Sequence, residues 1–237
     1  MPAFPRLRGL NLNPFEAKAP VMPMPVYNGD RVHVIVIFGR TGMGVSSLVN
    51  LITGREDAPY HTDIHPCTQE PAAYRVEINE ETFDIYDIPG FGSGFHPEKT
   101  ISDLYAERGI DLLINCMRPK GGVVKGYYNA VRSAVPERVP IVAVVTGLEK
   151  QKDEMEDWWS GPKKNGENLA AKGMRFVDHA CVTSLPREDV CYNIDSYERR
   201  YHSVQAVRNL IWRNCNSSKR LTYVRGAGHH LDLSFLK

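Results

Sequence analysis

The chain has 237 residues, 42% of them hydrophobic, and its formal net charge is +1 at pH 7. This length and composition suit one α/β domain with extensions rather than two full domains. A net charge so close to zero lacks the excess of positive charge that is typical of nucleic-acid-binding proteins, so no nucleic-acid partner is expected. No apolar run approaches the roughly 18 residues that cross a bilayer, so no transmembrane segment is expected.

The ends of the chain and its cysteines give two further expectations. Residues 1–30 contain six prolines and predict an extended or disordered arm, with a partner-binding role left open. Residues 215–237 predict a C-terminal tail. The five cysteines lack the C-x-x-C spacing of a zinc site, so we expect reduced thiols and a cytoplasmic protein.

Between the two ends, segments typical of strands and helices alternate. The predicted strands are 32–38, 72–78, 82–87, 110–116, 140–146 and 175–182, and the predicted helices are 45–54, 98–108, 124–134, 150–171 and 197–213. Several strands are continuous apolar runs, which is typical of strands covered on both faces. The pattern predicts a three-layer α/β/α fold with a mostly parallel six-stranded sheet and a hairpin between the second and third strands. Ligands are expected at the carboxyl ends of the strands.

The segment after the first strand is the most informative one in the chain. It follows the spacing of the phosphate-binding loop G-x-x-x-x-G-K-[ST], except that Val45 replaces the lysine. Its three glycines are predicted to let the backbone adopt positive φ and approach an anion without interference from a Cβ, so that successive N–H groups converge on that anion at a helix N-terminus. The predicted nucleotide-binding residues here are Gly39, Arg40, Thr41, Gly42, Met43, Gly44, Val45, Ser46 and Ser47. A strand–turn–helix junction without a ligand is the alternative that Val45 leaves open.

Two later segments add candidate ligands for a magnesium ion and for the terminal phosphate. Asp87 ends a predicted strand, where a carboxylate can hold Mg²⁺ through water, and the N–H of Gly90 can approach the phosphate closely. Thr68, in the loop after the first helix, can reach both the metal and the phosphate. The predicted metal ligands are therefore Ser46, Thr68 and Asp87. An Asp-Pro-Gly turn and an ordinary loop threonine are the alternatives.

Together these segments resemble the P-loop GTPases, in particular the septin-like and immunity-associated branch. Residues 39–50 resemble that branch's G-x-T-G-x-G-K-S-S-x-x-N, and residues 87–91 resemble its D-T-P-G-[FL]. Short G-domain proteins of mushroom-forming fungi are similar as well. The likeness covers roughly residues 31–214, the predicted G domain, and implies GTP or GDP as the ligand and Mg²⁺ as the cofactor.

The resemblance also implies a guanine-reading motif after the strand predicted at 140–146. The family has [NT]-K-x-D there, whereas residues 146–149 read TGLE, beginning with Thr146. The carboxylate of Glu149 can accept hydrogen bonds from guanine N1–H and the 2-amino group, a pairing that adenine cannot match. Ser184 belongs to the weak closing motif in which a backbone N–H touches guanine O6. A glutamate that only begins a helix is the alternative.

The predicted function is guanine-nucleotide binding with slow Mg²⁺-dependent hydrolysis of GTP, in a switch or assembly module. Phe91 stands where many GTPases have a water-orienting glutamine. Arg40 is therefore a candidate catalytic residue, in addition to Thr68, and would act in cis or across a homodimer formed at the nucleotide face. An Arg40 side chain that is only solvated is an equal alternative. The alternatives are a pseudo-GTPase scaffold that has lost strong binding through Val45 and an adenine-nucleotide enzyme such as a small kinase.

Overall fold

The computed structural model describes residues 32–55, 71–90, 97–121 and 125–226. Its strands are β1 (His33–Gly39), β2 (Ala72–Ile78), β3 (Glu81–Asp87), β4 (Leu112–Met117), β5 (Ile141–Val145) and β6 (His179–Cys181). Its helices are α1 (Val45–Thr53), α2 (Pro97–Arg108), α3 (Lys125–Ser133), α4 (Asp157–Ser160), α5 (Asn165–Ala171), α6 (Arg187–Val190) and α7 (Ile194–Gly226). The predicted arm at 1–30 lies outside the described residues. None of the helices in the described ranges has the combination of length and hydropathy that a membrane span needs.

The strands form one sheet in the order β2-β3-β1-β4-β5-β6. Only β2 is antiparallel to its neighbour, so the predicted six-stranded, mostly parallel sheet is confirmed. The predicted hairpin between β2 and β3 is present, and its turn residues Asn79 and Glu80 have φ angles of 49° and 67°. Two successive left-handed residues match the twist of a two-residue hairpin turn.

Strand β1 lies at the centre of the sheet and is buried on both faces. Ile35 and Ile37 pack in a core cluster with residues of α1 and α7. Val34, Val36 and Phe38 pack on the opposite face in a cluster with residues of α2, α3 and α5. The three predicted layers are thereby confirmed, and they explain why this strand lacks an alternating pattern. From β1 the sheet extends in both directions, so the carboxyl end of β1 is the position where such folds bind ligands.

Two predicted boundaries in the second half of the chain are wrong. The helical region predicted at 150–171 is two short helices, α4 and α5, separated at Gly161 and Pro162. Gly161 has extended backbone angles, and proline has no N–H to continue a helix. The strand predicted at 175–182 is reduced to β6, an edge strand that pairs only with β5.

The last helix is longer than the sequence indicates. Helix α7 begins at Ile194 rather than at residue 197 and continues to Gly226, past the predicted end at 213. The first part of the predicted tail, through residue 226, is therefore helical, and residues 227–237 lie outside the described ranges.

An ion-pair cluster on Asp84 joins β2, β3 and α2. The Asp84 carboxylate accepts hydrogen bonds from Arg75 Nε at 2.8 Å and from Arg108 Nη2 at 2.8 Å. Burial acts to raise the pKa of Asp84, but the hydrogen bonds from the two arginines outweigh it, so that pKa is lowered. Asp84 is therefore a charged side chain within the fold, held by hydrogen bonds from two arginines.

Candidate functional site

The loop between β1 and α1 has the backbone geometry of an anion-binding turn. Gly42 and Gly44 have φ angles of 82° and 86°, in the left-handed region that favours glycine. Gly44 is the N-cap of α1 and provides no side-chain cap to the first helical turn. The N–H groups and the positive end of the helix dipole are therefore directed toward the loop, where an anion would be stabilised.

Gly39 and Gly90 are required for close approach rather than for positive φ. The predicted positive φ is wrong at Gly39, which is absent from the left-handed glycines of the described chain. A Cβ at Gly39 would lie 2.7 Å from the carbonyl oxygen of Cys116 on the neighbouring strand β4. A Cβ at Gly90 would lie 2.6 Å from the backbone N of Thr41. Both glycines therefore allow neighbouring backbone segments to approach the phosphate loop.

Two of the three predicted metal ligands are in direct contact. Ser46 Oγ donates a hydrogen bond of 2.7 Å to Asp87 Oδ2. Asp87 is 1% exposed and lies opposite Ile37 in the register of β3 with β1, which places it at the carboxyl edge of the sheet. Thr68, the third predicted ligand, lies outside the described residues, as does Phe91.

The pair of Ser46 and Asp87 fits a magnesium ion that completes its shell with other ligands. Hydroxyl and carboxylate oxygens are hard donors, and Mg²⁺ in phosphate sites usually binds one or two protein groups and keeps several waters. Among the described residues, no group of three His, Cys, Asp or Glu side chains can hold a metal. The donor set is therefore suited to Mg²⁺ held jointly by protein and phosphate oxygens.

Thr146 connects the phosphate loop to the predicted base-reading segment. Its Oγ1 donates a 2.8 Å hydrogen bond to the carbonyl oxygen of Met43, and the thiol of Cys116 donates to the same oxygen at 3.2 Å. Burial raises the pKa of Cys116 to about 12, so its thiol keeps the proton that it donates. Thr146 is fully buried. Residues more than a hundred positions apart in sequence are thus joined by one hydrogen bond.

The segments that carry Glu149 and Ser184 lie side by side. Thr183 Oγ1 donates a long hydrogen bond of 3.5 Å to Glu149 Oε2, and Ser203 Oγ of α7 accepts the N–H of Thr183 at 3.0 Å. A Cβ at Gly44 would lie 3.7 Å from Ser184 Oγ. The structure therefore brings Ser184 next to the phosphate loop and Glu149 next to Thr183, the residue before Ser184.

The loop after β4 is the part of the site that sequence reasoning missed. Arg40 Nη1 donates to the carbonyl oxygen of Gly121 at 3.2 Å, and a Cβ at Gly121 would clash with the thioether of Met43. Arg118 lies against Gly147. The signal was available, because Arg118 follows a buried parallel strand at the edge where ligands bind.

Val45 occupies the lysine position with an apolar, packed side chain. It is 8% exposed and belongs to the core cluster between the sheet, α1 and α7. Its Cγ2 lies 3.2 Å from the position that a Cβ on Gly39 would take. The first residue of α1 therefore adds no charge to the loop.

Comparison with known proteins gives matches in sequence and in fold. The profile of a family described as 50S ribosome-binding GTPase matches residues 34–159. The probable GTP-binding protein EngB of Solibacter usitatus (strain Ellin6076) is 31% identical over 174 residues, which cover 67% of this chain and 90% of that protein. The uncharacterized protein YfjP of Escherichia coli (strain K12) is 37% identical over 75 residues, or 32% of this chain. That match spans only 26% of YfjP.

Among solved structures, the fold is similar to the crystal structure of Toc33 from Arabidopsis thaliana in complex with Mg²⁺ and GMPPNP. The TM-score is 0.57 at 18% sequence identity, and the match covers 81% of this chain and 86% of that one. At this identity the likeness concerns the fold alone.

Proposed function

The chain belongs to the G-domain family described as 50S ribosome-binding GTPases, and on that premise we propose that it binds GTP and GDP with Mg²⁺ and hydrolyses GTP slowly. The observation that carries the proposal is the 2.8 Å hydrogen bond from Thr146 Oγ1 to the Met43 carbonyl. It holds the segment proposed to read guanine against the loop proposed to bind the phosphates. A guanine nucleotide carries the base and the phosphates on one molecule, so a single ligand would contact both segments.

In the phosphate half of the site, the backbone N–H groups between Gly39 and Ser47 bind the phosphates. Ser46 and Asp87, 2.7 Å apart, hold the metal. When bound, Mg²⁺ neutralises charge on the outer phosphates. Thr68 and the N–H of Gly90 bind the terminal phosphate. The chain acts as a switch or an assembly module if the segments that carry these two residues have different conformations with GTP and with GDP.

In the base half of the site, Glu149 selects guanine. Its carboxylate accepts hydrogen bonds from N1–H and the 2-amino group, and the Thr183 hydroxyl, 3.5 Å from Glu149 Oε2, orients it. The backbone N–H of Ser184 contacts guanine O6. Adenine has neither the two donors nor the acceptor, so this arrangement favours GTP and GDP over ATP.

Hydrolysis is slow in this proposal because Phe91 supplies no amide to orient the attacking water. Arg40 is the residue proposed to supply charge to the transition state. Its hydrogen bond to the carbonyl oxygen of Gly121 joins this loop residue to the segment after β4, and from there it would act in cis or across a homodimer at the nucleotide face.

The test measures binding and turnover on the same preparation. We expect GDP and GTP to displace a fluorescent GDP analogue in the presence of Mg²⁺, ATP to compete at least tenfold less well, and phosphate to be released slowly from GTP. An ATP preference would contradict the guanine assignment of Glu149 and favour the kinase-like alternative. Tight GTP binding without phosphate release would contradict the hydrolysis step alone.

A pseudo-GTPase scaffold is the second candidate, and the packing of Val45 favours it. An apolar side chain, 8% exposed, stands where a lysine would neutralise phosphate charge. The same titration separates the two functions, because a scaffold of this kind binds no nucleotide at millimolar concentration.

Two finer assignments complete the proposal. The sequences at residues 39–50 and 87–91 support membership of the septin-like and immunity-associated branch, with short fungal G-domain proteins as relatives. Among the described cysteines, Cys116, Cys181 and Cys191 are free thiols, which supports a cytoplasmic location.

A further inference from the structure

We infer that Arg118 is a phosphate-binding cation of the nucleotide site and that its guanidinium supplies the positive charge that Val45, at the position of the phosphate-loop lysine, does not. This inference rests on the proposed function. The family motifs have a lysine at two positions of the site, and this chain has Val45 and Gly147 there. Arg118 comes from the loop after β4, which neither motif includes.

The stem of Arg118 fills the space beside Gly147. A Cβ on Gly147 would lie 3.3 Å from Arg118 Nε and 3.5 Å from both Cδ and Cγ. Gly147 also has a φ of 75°, a left-handed conformation in which a larger side chain is strained. Position 147 therefore favours glycine through its backbone conformation, and the arginine stem lies beside the place that a side chain of residue 147 would take.

The guanidinium of Arg118 lies at the positive end of α1. A Cβ on Gly44, the N-cap of that helix, would lie 3.8 Å from Arg118 Nε and 3.3 Å from Thr146 Oγ1. The arginine is thus next to the N–H groups proposed to bind phosphate. A cation held beside a helix N-terminus is repelled by the helix dipole, and an anion between them would remove that repulsion.

Arg118 is also available to a ligand. Its side chain is exposed, and within the described residues no hydrogen bond or ion pair engages its guanidinium. Arg40, the other arginine beside the loop, instead donates to the carbonyl oxygen of Gly121. A guanidinium presents a planar set of donors that matches phosphate oxygens, and charge-assisted hydrogen bonds of this kind are stronger than neutral ones.

The experiment measures the affinity of the full chain for GDP and for guanosine, which has the base and ribose but no phosphate. The variants are Arg118→Gln, which removes the charge, and Arg118→Lys, which keeps it on a shorter stem. Lys120→Gln is the matched control, because it removes one exposed charge from the same loop. Melting curves without nucleotide verify that each variant is folded.

We expect Arg118→Gln to weaken GDP binding about 10- to 150-fold, the equivalent of one charge-assisted hydrogen bond, and to leave guanosine binding unchanged. Arg118→Lys should recover part of the loss, and Lys120→Gln should change the GDP affinity less than threefold. Wild-type GDP affinity in Arg118→Gln would overturn the inference while leaving the proposed function intact. An equal loss for guanosine would also overturn it, because the arginine would then act on the nucleoside. A wild-type chain that binds no GDP would refute the proposed function itself.

Discussion

Replacing Val45 by lysine tests whether the loop between β1 and α1 binds phosphate. The residue begins α1, and the lysine stem would occupy the apolar space that Val45 now fills beside Gly39. Its ammonium would extend toward the loop, where a phosphate is proposed to lie. One charge-assisted hydrogen bond contributes about 1.5–3 kcal/mol, so GTP affinity should rise at least tenfold and by as much as ~150-fold.

The assay is calorimetric titration of GTP and GDP into the wild type, Val45→Lys and the control Val45→Met. Methionine is a long apolar side chain without charge, so it separates the effect of size from the effect of the ammonium. We expect Val45→Met to bind GTP no more tightly than the wild type. A folded Val45→Lys variant with unchanged GTP affinity would refute the argument that this loop holds the phosphates.

Three further changes test the metal site, the base site and the ion-pair cluster. Ser46→Ala should abolish most of the gain in GTP affinity that Mg²⁺ provides, because it removes the hydroxyl paired with Asp87. Titration of GTP with and without the metal measures this gain, and an undiminished gain would contradict the role of Ser46. Glu149→Gln should reduce the preference for GDP over ADP by about tenfold in competition assays, and an unchanged ratio would exclude Glu149 as the reader of guanine. Asp84→Asn should lower the free energy of unfolding in urea by about 3 kcal/mol at pH 7, because two arginines lose their shared partner. Since the pKa of Asp84 is lowered in the folded state, its contribution is complete above the ordinary aspartate pKa of about 3.9 and fades as the pH falls below it. The gap between wild type and Asp84→Asn should therefore shrink below about pH 4, and a gap independent of pH would contradict the ion-pair explanation.

The features that the sequence predicted well depend on short-range patterns. A buried strand, a glycine-rich turn and the start of a helix are adjacent along the chain, so the loop from Gly39 to Ser47 is recognisable from its residues alone. Ser46 and Asp87 were both predicted as metal ligands at the edge where the parallel strands end, and in the structure they are joined by a hydrogen bond. The hairpin of β2 and β3 was predicted from its short connection and is present.

The features that the sequence did not predict depend on distant contacts. Gly39 has no positive φ; its lack of a Cβ matters because the carbonyl of Cys116, on another strand, lies too close for one. Arg118 and Gly147 approach each other only because β4 and β5 are parallel neighbours. Neither of these two contacts can be predicted from a local sequence pattern, because each depends on the distance between the ends of two neighbouring strands.

The break between α4 and α5 was missed for a different reason. The sequence contained the signal, a glycine followed by Pro162, although residues 150–171 were predicted as one helical region. In the structure helix α4 ends before this pair, because proline has no N–H to continue a helix, and helix formation resumes only at Asn165.

If the backbone loop from Gly39 to Ser47 and the nearby Thr146 bind a guanine nucleotide although Val45 replaces the lysine, that nucleotide should stabilise the folded chain. Thermal melting with GDP, GTP or ATP in Mg²⁺ tests it most directly. With a Kd of about 1 µM, 100 µM GDP or GTP would add about 2.7 kcal/mol to the stability, which corresponds to a rise in Tm of roughly 5–11 °C. We predict that rise with the guanine nucleotides and little change with ATP. An unchanged Tm with all three nucleotides at millimolar concentration would contradict the claim.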